Sequence, residues 1–391
     1  MRVFWIVLDS AGIGYEPDAE LFGDVGADTF GSCIRYAKEK GLDMPNLRRM
    51  GLFNIEGTSF RDPAEHTIGA YGRLRERSMG KDTTVGHWEM AGMVSPRPLP
   101  VYPEGFPEEI RAELTELTGK EYICNLPYSG TKVLEDYGRE HVESGKLILY
   151  TSADSVMQIA AHEDLVPVEE LYDICRKARE LMQGPHGVGR IIARPFTGEY
   201  PNYQRTVRRH DFSLCPPEET VLDGLTKAGI PVIGVGKIYD IFAGKGVGET
   251  YANEGNCKNM IRTMEIARRE QTGLCYVNLV DFDMIYGHRR DIPGYTEALV
   301  QVDGQLGELM ELMGPEDVLM VTADHGCDPG FTGTDHTREY VPCLIYGQKI
   351  REDLDLKTRS TYADMGATVA ELLGIDYRGD GESFAREILK Q

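Results

Sequence analysis

"VFWIVLDSAG", residues 3 to 12, is a run of six apolar residues stopped by an aspartate. The same grammar returns at 274 to 283, "LCYVNLVDFD", and at 317 to 326, "DVLMVTADHG". Apolar runs of this length, with little polar alternation, suit strands buried on both faces, as in a mainly parallel sheet between helices. Helical patterns lie among them, "ANEGNCKNMIRTMEIARREQ" (252–271) and "TEALVQVDGQLGELMELM" (296–313), so the fold class is α/β. Ligands of such sheets bind outside the carboxyl ends of the strands. Asp9, Asp283, Asp324 and His325 are therefore expected in one crevice, although hundreds of residues separate the first from the others.

Two proline-rich stretches interrupt this alternation, "SPRPLPVYPEGFP" (95–107) and "CPPEE" (215–219). Proline clusters favour extended linkers. The segment between them has its own helical patterns, "PEEIRAELTELTG" and "PVEELYDICRKARELM", and its own strand patterns, "KLILYTS" and "GRIIARPF". It reads as an inserted α/β cap over residues 97–217, within a discontinuous core of 1–96 and 218–391.

The formal net charge of -21 would repel a nucleic acid backbone or an anionic membrane. The N-terminal apolar run is far too short to span a bilayer and carries no cleavage-site pattern. The eight cysteines are scattered without a C-x-x-C pair, which suits a reducing cytoplasm. Cys327, beside His325 and Asp328, reads as a small packed residue. No obligate protein partner is evident.

Three of the nine histidines fall among carboxylates, in "DFDMIYGHRRD" (281–291), "TADHGCD" (322–328) and "GTDHT" (333–337). A single Asp-His neighbour pair is ordinarily a loop cap. Three such clusters plus Asp9, all at one end of the strands, point to metal. Asp9, Asp283, His288, Asp324, His325 and His336 make six ligands, enough for two ions. The histidines argue against a purely magnesium site. A pair of ions about 3.5–4 Å apart suits phosphoryl transfer. Asp281, Asp328 and Asp335 read as capping or supporting carboxylates.

"GKDTTVGHWEM" (80–90) has the form of a helix N-terminus. A threonine hydroxyl placed there, beside cations, could act as a nucleophile, with helix-end N–H groups as further anion donors. Thr83 and Thr84 both meet that description. Lys81 either helps hold a phosphoryl group or is a solvated surface residue. "HGVGRIIARPFTGEYPNYQRTVRRH" (186–210) sets five arginines against one glutamate, either an anion clamp or a set of surface ion pairs. The short glycine patterns complete no dinucleotide or P-loop fingerprint.

"LDSAGIG", "KDTTVGHWE", "DFDMIYGHRRD", "TADHGCDPG", "TGTDHTREYVP" and "TYADMGATVAELLG" together resemble the phosphopentomutase family of the alkaline phosphatase superfamily, over nearly the whole chain. The resemblance implies an alkaline-phosphatase-like core with an inserted cap. It implies two Mn2+ ions, one on Asp9, Asp324 and His325, the other on Asp283, His288 and His336. It selects Thr83 as the phosphorylated residue. It also makes Ser152, Asp154, Arg190, Arg205 and Lys237 the candidates for holding a sugar phosphate. The implied activity, part of nucleoside catabolism, interconverts ribose 1-phosphate and ribose 5-phosphate, and the 2-deoxy pair, through a 1,5-bisphosphate. Glucose 1,6-bisphosphate or ribose 1,5-bisphosphate would prime the enzyme. The competing readings are another metal-dependent phosphosugar or phosphoglycerate mutase or phosphatase of the superfamily, and a non-catalytic binder of metal or sugar phosphate.

Overall fold

A computed structural model describes residues 1–152 and 154–390. The chain forms two compact units, Met1–Pro98 with Pro216–Gln391, and Leu99–Cys215. In chain order the first unit begins with strands β1 (Arg2–Leu8) and β2 (Gly69–Leu74). The second unit carries β3 (Tyr122–Pro127), β4 (Leu147–Thr151), β5 (Val156–His162), β6 (Arg190–Thr197), β7 (Gln204–Arg205) and β8 (His210–Ser213). The first unit resumes with β9 (Val232–Val235), β10 (Glu249–Tyr251), β11 (Gly273–Leu279), β12 (Val318–Thr322), β13 (Val341–Tyr346) and β14 (Leu354–Arg359).

The first unit is built on an eight-stranded sheet in the order β10-β9-β11-β1-β12-β13-β2-β14. The five strands from β10 to β12 run parallel. β13 is antiparallel to both β12 and β2, and β14 runs parallel to β2. The three apolar runs are the central strands β11, β1 and β12, and β11 and β12 are buried throughout. Only Arg2 at the start of β1 reaches the surface, where it pairs with Asp317. Removing both faces from water is the condition under which unalternated apolar strands are favoured. The mainly parallel α/β architecture is thus present, with one reversed strand, β13, that the apolar runs do not announce.

The second unit is an α/β sheet with a core on each face. Leu147, Leu149, Met157 and Ile159 pack with Leu114, Leu171 and Ile174 of the helices Glu108–Thr118 and Val168–Leu181. Ile148, Tyr150 and Ala160 pack on the other face with Val133 and Leu134 of the helix Lys132–Ser144. Alternate residues of β4 point to opposite faces, which divides its side chains between the two cores.

Among the described residues no helix is long and apolar enough to cross a membrane. All eight cysteines are free thiols, and Cys327 is buried.

Candidate active site

Leu8 aligns with Leu279 on one side of β1, and Val7 with Thr322 on the other, so three strands end at one level. Asp9 is the first residue beyond β1. Asp324 and His325 follow β12 at the same end, and Asp283 follows β11 within a π-helical turn, Phe282–Gly287. His288 closes that turn, and His336 enters from the loop before β13. Ser10 adopts a left-handed φ of 69°, which turns the chain just after Asp9. Its N–H donates to Asp324 Oδ1 at 2.9 Å and ties the ends of β1 and β12 together.

The six side chains named from the sequence lie together. His325 Nε2 is 3.6 Å from Asp9 Oδ1 and 3.4 Å from Asp324 Oδ2. His336 Nε2 is 3.2 Å from Asp283 Oδ1 and 3.1 Å from His288 Nε2, which is 3.3 Å from Asp283 Oδ2. The His325 and His336 rings stack with centroids 4.0 Å apart, so the two trios adjoin. Two histidine orientations are fixed from behind. His325 Nδ1 donates to the Gly326 carbonyl at 3.0 Å, and His288 Nδ1 to the Thr334 carbonyl at 2.7 Å. A carbonyl only accepts, so Nδ1 carries the proton and each Nε2 lone pair faces the carboxylates. That is how ligating histidines are held.

This donor set fits divalent cations. Asp9 Oδ1, Asp283 Oδ1 and Asp324 Oδ2 are buried without a hydrogen-bond partner, and buried charge of one sign requires compensation. Burial raises the Asp9 carboxyl well above the carboxylate range, and the charges of Asp324 and Asp283 raise it further. Burial also opposes ionisation of Asp283, but His336 and His288 outweigh it and hold that carboxyl low. In return Asp283 raises the proton affinity of both imidazoles, against the burial of His336. Without a cation, protons take its place.

Thr83 opens the helix Thr83–Met90, and its Oγ1 lies 3.2 Å from His325 Nε2. The helix turns the next residue by about 100°, so the Thr84 side chain leaves the helix in a different direction. The cap is Asp82, whose Oδ1 accepts from Thr84 N at 3.0 Å and Val85 N at 3.1 Å. Two of the helix-end donors expected to serve an anion are therefore already used. Gly86 sets how close the helix comes: a Cβ there would sit 2.2 Å from the Asp324 carbonyl oxygen.

Lys81 is not the solvated surface residue of the second sequence-based alternative. It is largely buried and pairs with Asp24 at 3.0 Å and Asp335 at 3.3 Å, bracing the Thr83 segment against the His336 loop. Asp281 accepts from Asn256 N at the start of the helix Asn256–Ala267, and Asp328 from Asp28 N, both supporting roles. Two buried residues were given no role by sequence reasoning, His87 and Asn278. Asn278 does carry a signal, being a polar residue inside the otherwise apolar "LCYVNLV".

Lys237 belongs to the same unit as this cluster, and its charge favours the ionised form of Asp9. Ser152, Asp154, Arg190 and Arg205 lie in the unit Leu99–Cys215. Of the five arginines in that stretch, Arg208 pairs with Glu163 at 2.9 Å and Arg209 with Asp211 at 2.6 Å, which is the surface ion-pair reading. Arg190 is 3.6 Å from Asp211, a looser contact. Arg194 is half-buried, and burial together with the charges of Arg209 and Arg205 lowers its pKa. Asp211, beside Arg209 and Arg190, already offsets part of that repulsion.

A family model described as Metalloenzyme superfamily matches residues 1–377. The phosphopentomutase of Lachnoclostridium phytofermentans is 52% identical over 393 aligned positions, covering 100% of both chains. That of Carboxydothermus hydrogenoformans is 50% identical, again over 100% of both. Among solved structures, a phosphoglycerate mutase from Leishmania mexicana aligns with 98% of this chain and 97% of its own, at 14% identity and a TM-score of 0.48. With half its residues shared with phosphopentomutases from end to end, and with the metal-type cluster assembled at its strand ends, the chain belongs to the phosphopentomutase family of the metalloenzyme superfamily.

Proposed function

We propose that the protein is an isomerase that interconverts ribose 1-phosphate and ribose 5-phosphate, and the 2-deoxy pair, through a phosphothreonine at Thr83. The observation that carries this reading is the Thr83 hydroxyl, 3.2 Å from His325 Nε2 at the edge of the six-ligand cluster. Asp9, Asp324 and His325 would hold one divalent ion, and Asp283, His288 and His336 a second, with Mn2+ the ion that the family resemblance favours. Such ions neutralise phosphoryl oxygens and strengthen a hydroxyl nucleophile.

The phosphoryl group on Thr83 passes to the free C1 or C5 hydroxyl of the incoming monophosphate. An O–P bond forms to the sugar, the Thr83 O–P bond breaks, and the hydroxyl proton goes to the Thr83 oxygen. The product is the 1,5-bisphosphate. Thr83 then attacks its other phosphorus, the sugar oxygen leaves and regains a proton, and the phosphoenzyme is restored with the phosphate moved. Covalent relay splits one difficult transfer into two displacements. Arg190, Arg205 and Lys237 are assigned to the phosphate that is not reacting, because guanidinium and ammonium groups match its charge. Ser152 and Asp154 are assigned to sugar hydroxyls. Glucose 1,6-bisphosphate or ribose 1,5-bisphosphate would supply the first phosphoryl group.

The test is intact mass after incubation with glucose 1,6-bisphosphate and Mn2+, coupled to a ribose 1-phosphate assay. A phosphate-sized gain that vanishes in Thr83→Ala and persists in Thr84→Ala is expected. A gain that persists in Thr83→Ala moves the nucleophile elsewhere, and no gain in the wild type rejects the relay.

A further inference from the structure

His87 is wholly buried four residues after the nucleophile, and its two ring nitrogens face different parts of the site. Nδ1 is 2.8 Å from the Thr83 carbonyl oxygen and 3.2 Å from Asp324 Oδ2. Both are acceptors, so Nδ1 carries a proton. Nε2 is 3.4 Å from Asn278 Nδ2, and the same amide nitrogen donates to Asp9 Oδ2 at 2.7 Å. An amide NH2 has two hydrogens, one for each of these contacts. The Asn278 orientation is fixed, because turning the amide over would set its oxygen against the Asp9 carboxylate.

A continuous path therefore runs from the Thr83 backbone through His87 and Asn278 to Asp9, and the same His87 edge lies against the Asp324 carboxylate. It joins three elements: the helix Thr83–Met90, β11 and the loop after β1. Tyr276 packs beside the imidazole, 5.9 Å away between ring centroids. The three-way junction is closed to water, since His87, Asn278, Asp9 and Asp324 are each fully buried. An ordinary packing residue at this position would need no donor on one edge and no acceptor on the other.

We infer that His87 is a positioning residue that locks the nucleophile-bearing helix to the Asp9 and Asp324 carboxylates, with Asn278 as its second arm. The inference rests on the reading of Thr83 as nucleophile for its catalytic part only. The metal part stands on the carboxylate contacts. Groups that orient metal ligands from behind typically change metal affinity by about 10- to 100-fold when removed.

The experiment compares wild type, His87→Phe, His87→Asn and Asn278→Ala by Mn2+ affinity of the chelator-treated protein, read by electron paramagnetic resonance of free Mn2+. The rate of phosphoryl uptake on Thr83 is read in parallel by intact mass. His87→Phe keeps an aromatic ring without either polar edge, and is expected to weaken Mn2+ binding and slow uptake by about tenfold or more. In His87→Asn the side-chain amide can occupy the Nδ1 position, so most of the uptake rate should return. Asn278→Ala should weaken Mn2+ binding through Asp9 and leave uptake at saturating Mn2+ closer to wild type. Wild-type Mn2+ affinity and uptake in a folded His87→Phe protein would overturn the inference. So would a His87→Asn protein as defective as His87→Phe, which is the result for a merely space-filling residue. If His87→Phe does not fold, the comparison of His87→Asn and Asn278→Ala with wild type decides in the same way. If wild-type protein takes up no phosphoryl group, the functional reading fails and the Mn2+ affinities still decide the role of His87.

Discussion

Arg338 and Glu76 form an ion pair of 2.7 Å in which both side chains are about 1% exposed. The guanidinium also reaches Asp18 and the carbonyls of Glu76, Ser78 and Gly80, the residues just before Lys81 and Thr83. Arg338→Met would leave Glu76 buried without its counter-charge, at a cost of about 3–5 kcal/mol. Arg338→Lys keeps the charge and loses the fork that spans several acceptors, so it should recover only part. Urea denaturation checks both. A wild-type midpoint in Arg338→Met would show that the pair contributes no stability.

Cation binding should expel protons. Asp283 raises the proton affinity of His288 and His336, while their Nε2 atoms, 3.1 Å apart, leave room for one proton between the rings. Ligation requires a lone pair on each. At about pH 7.5, Mn2+ added to the chelator-treated protein should release at least one proton, because the raised imidazoles are protonated there and lose that proton to the ion. Calorimetric titration in two buffers of different ionisation enthalpy measures the number. A binding enthalpy that does not change with buffer would contradict it.

Two glycine replacements should act in opposite directions. Gly86→Ala pushes a methyl group into the Asp324 carbonyl oxygen, 2.2 Å from the Cβ position. It should destabilise the fold by about 1–3 kcal/mol and weaken Mn2+ binding as Asp324 shifts. Gly304 sits on the exposed side of the helix Ile292–Leu312, with nothing within 4 Å of its Cβ position. Gly304→Ala should stabilise by about 0.5–1 kcal/mol through helix propensity. Thermal melts of the two variants give the signs directly.

Acid should loosen the unit Leu99–Cys215 through His141. Burial lowers its pKa below the ordinary 6.5, and its Nε2 accepts the His162 N–H at 2.9 Å. The unfolded chain binds a proton more readily than the folded one, so the stabilisation is complete above about pH 6.5 and declines as pH falls from there toward the folded value. Hydrogen exchange of the β5 amides, corrected for intrinsic rate, should show lower protection near pH 5.5 than near pH 7.5. His141→Gln should remove most of that dependence. Equal protection at both pH values would exclude the effect.

The sequence made the centre of the sheet legible because β1, β11 and β12 are almost wholly apolar and each run stops at a carboxylate. It said little about the other half. β2, "GAYGRL", is glycine-rich, and β14, "LDLKTR", carries alternating charges, so neither resembles a buried strand. All six cluster residues could be named because histidine and aspartate at strand ends are rare together. Their supports could not. Lys81 finds Asp24 and Asp335 only through the folded loops, and nothing local to "GKDTTVG" distinguishes a strut from a surface lysine. The cap of the Thr83 helix is Asp82, one of several residue types equally suited to that position.

β1 is made long before either of its neighbours. Both its edges pair with strands that begin at Gly273 and Val318, so during synthesis it must wait for most of the polypeptide before either neighbour exists. Contacts of such long sequence separation form slowly, and an unpaired apolar strand is a template for the wrong partner in the meantime. Asp9 travels at the tip of that strand, so the cation site cannot close before the sheet does.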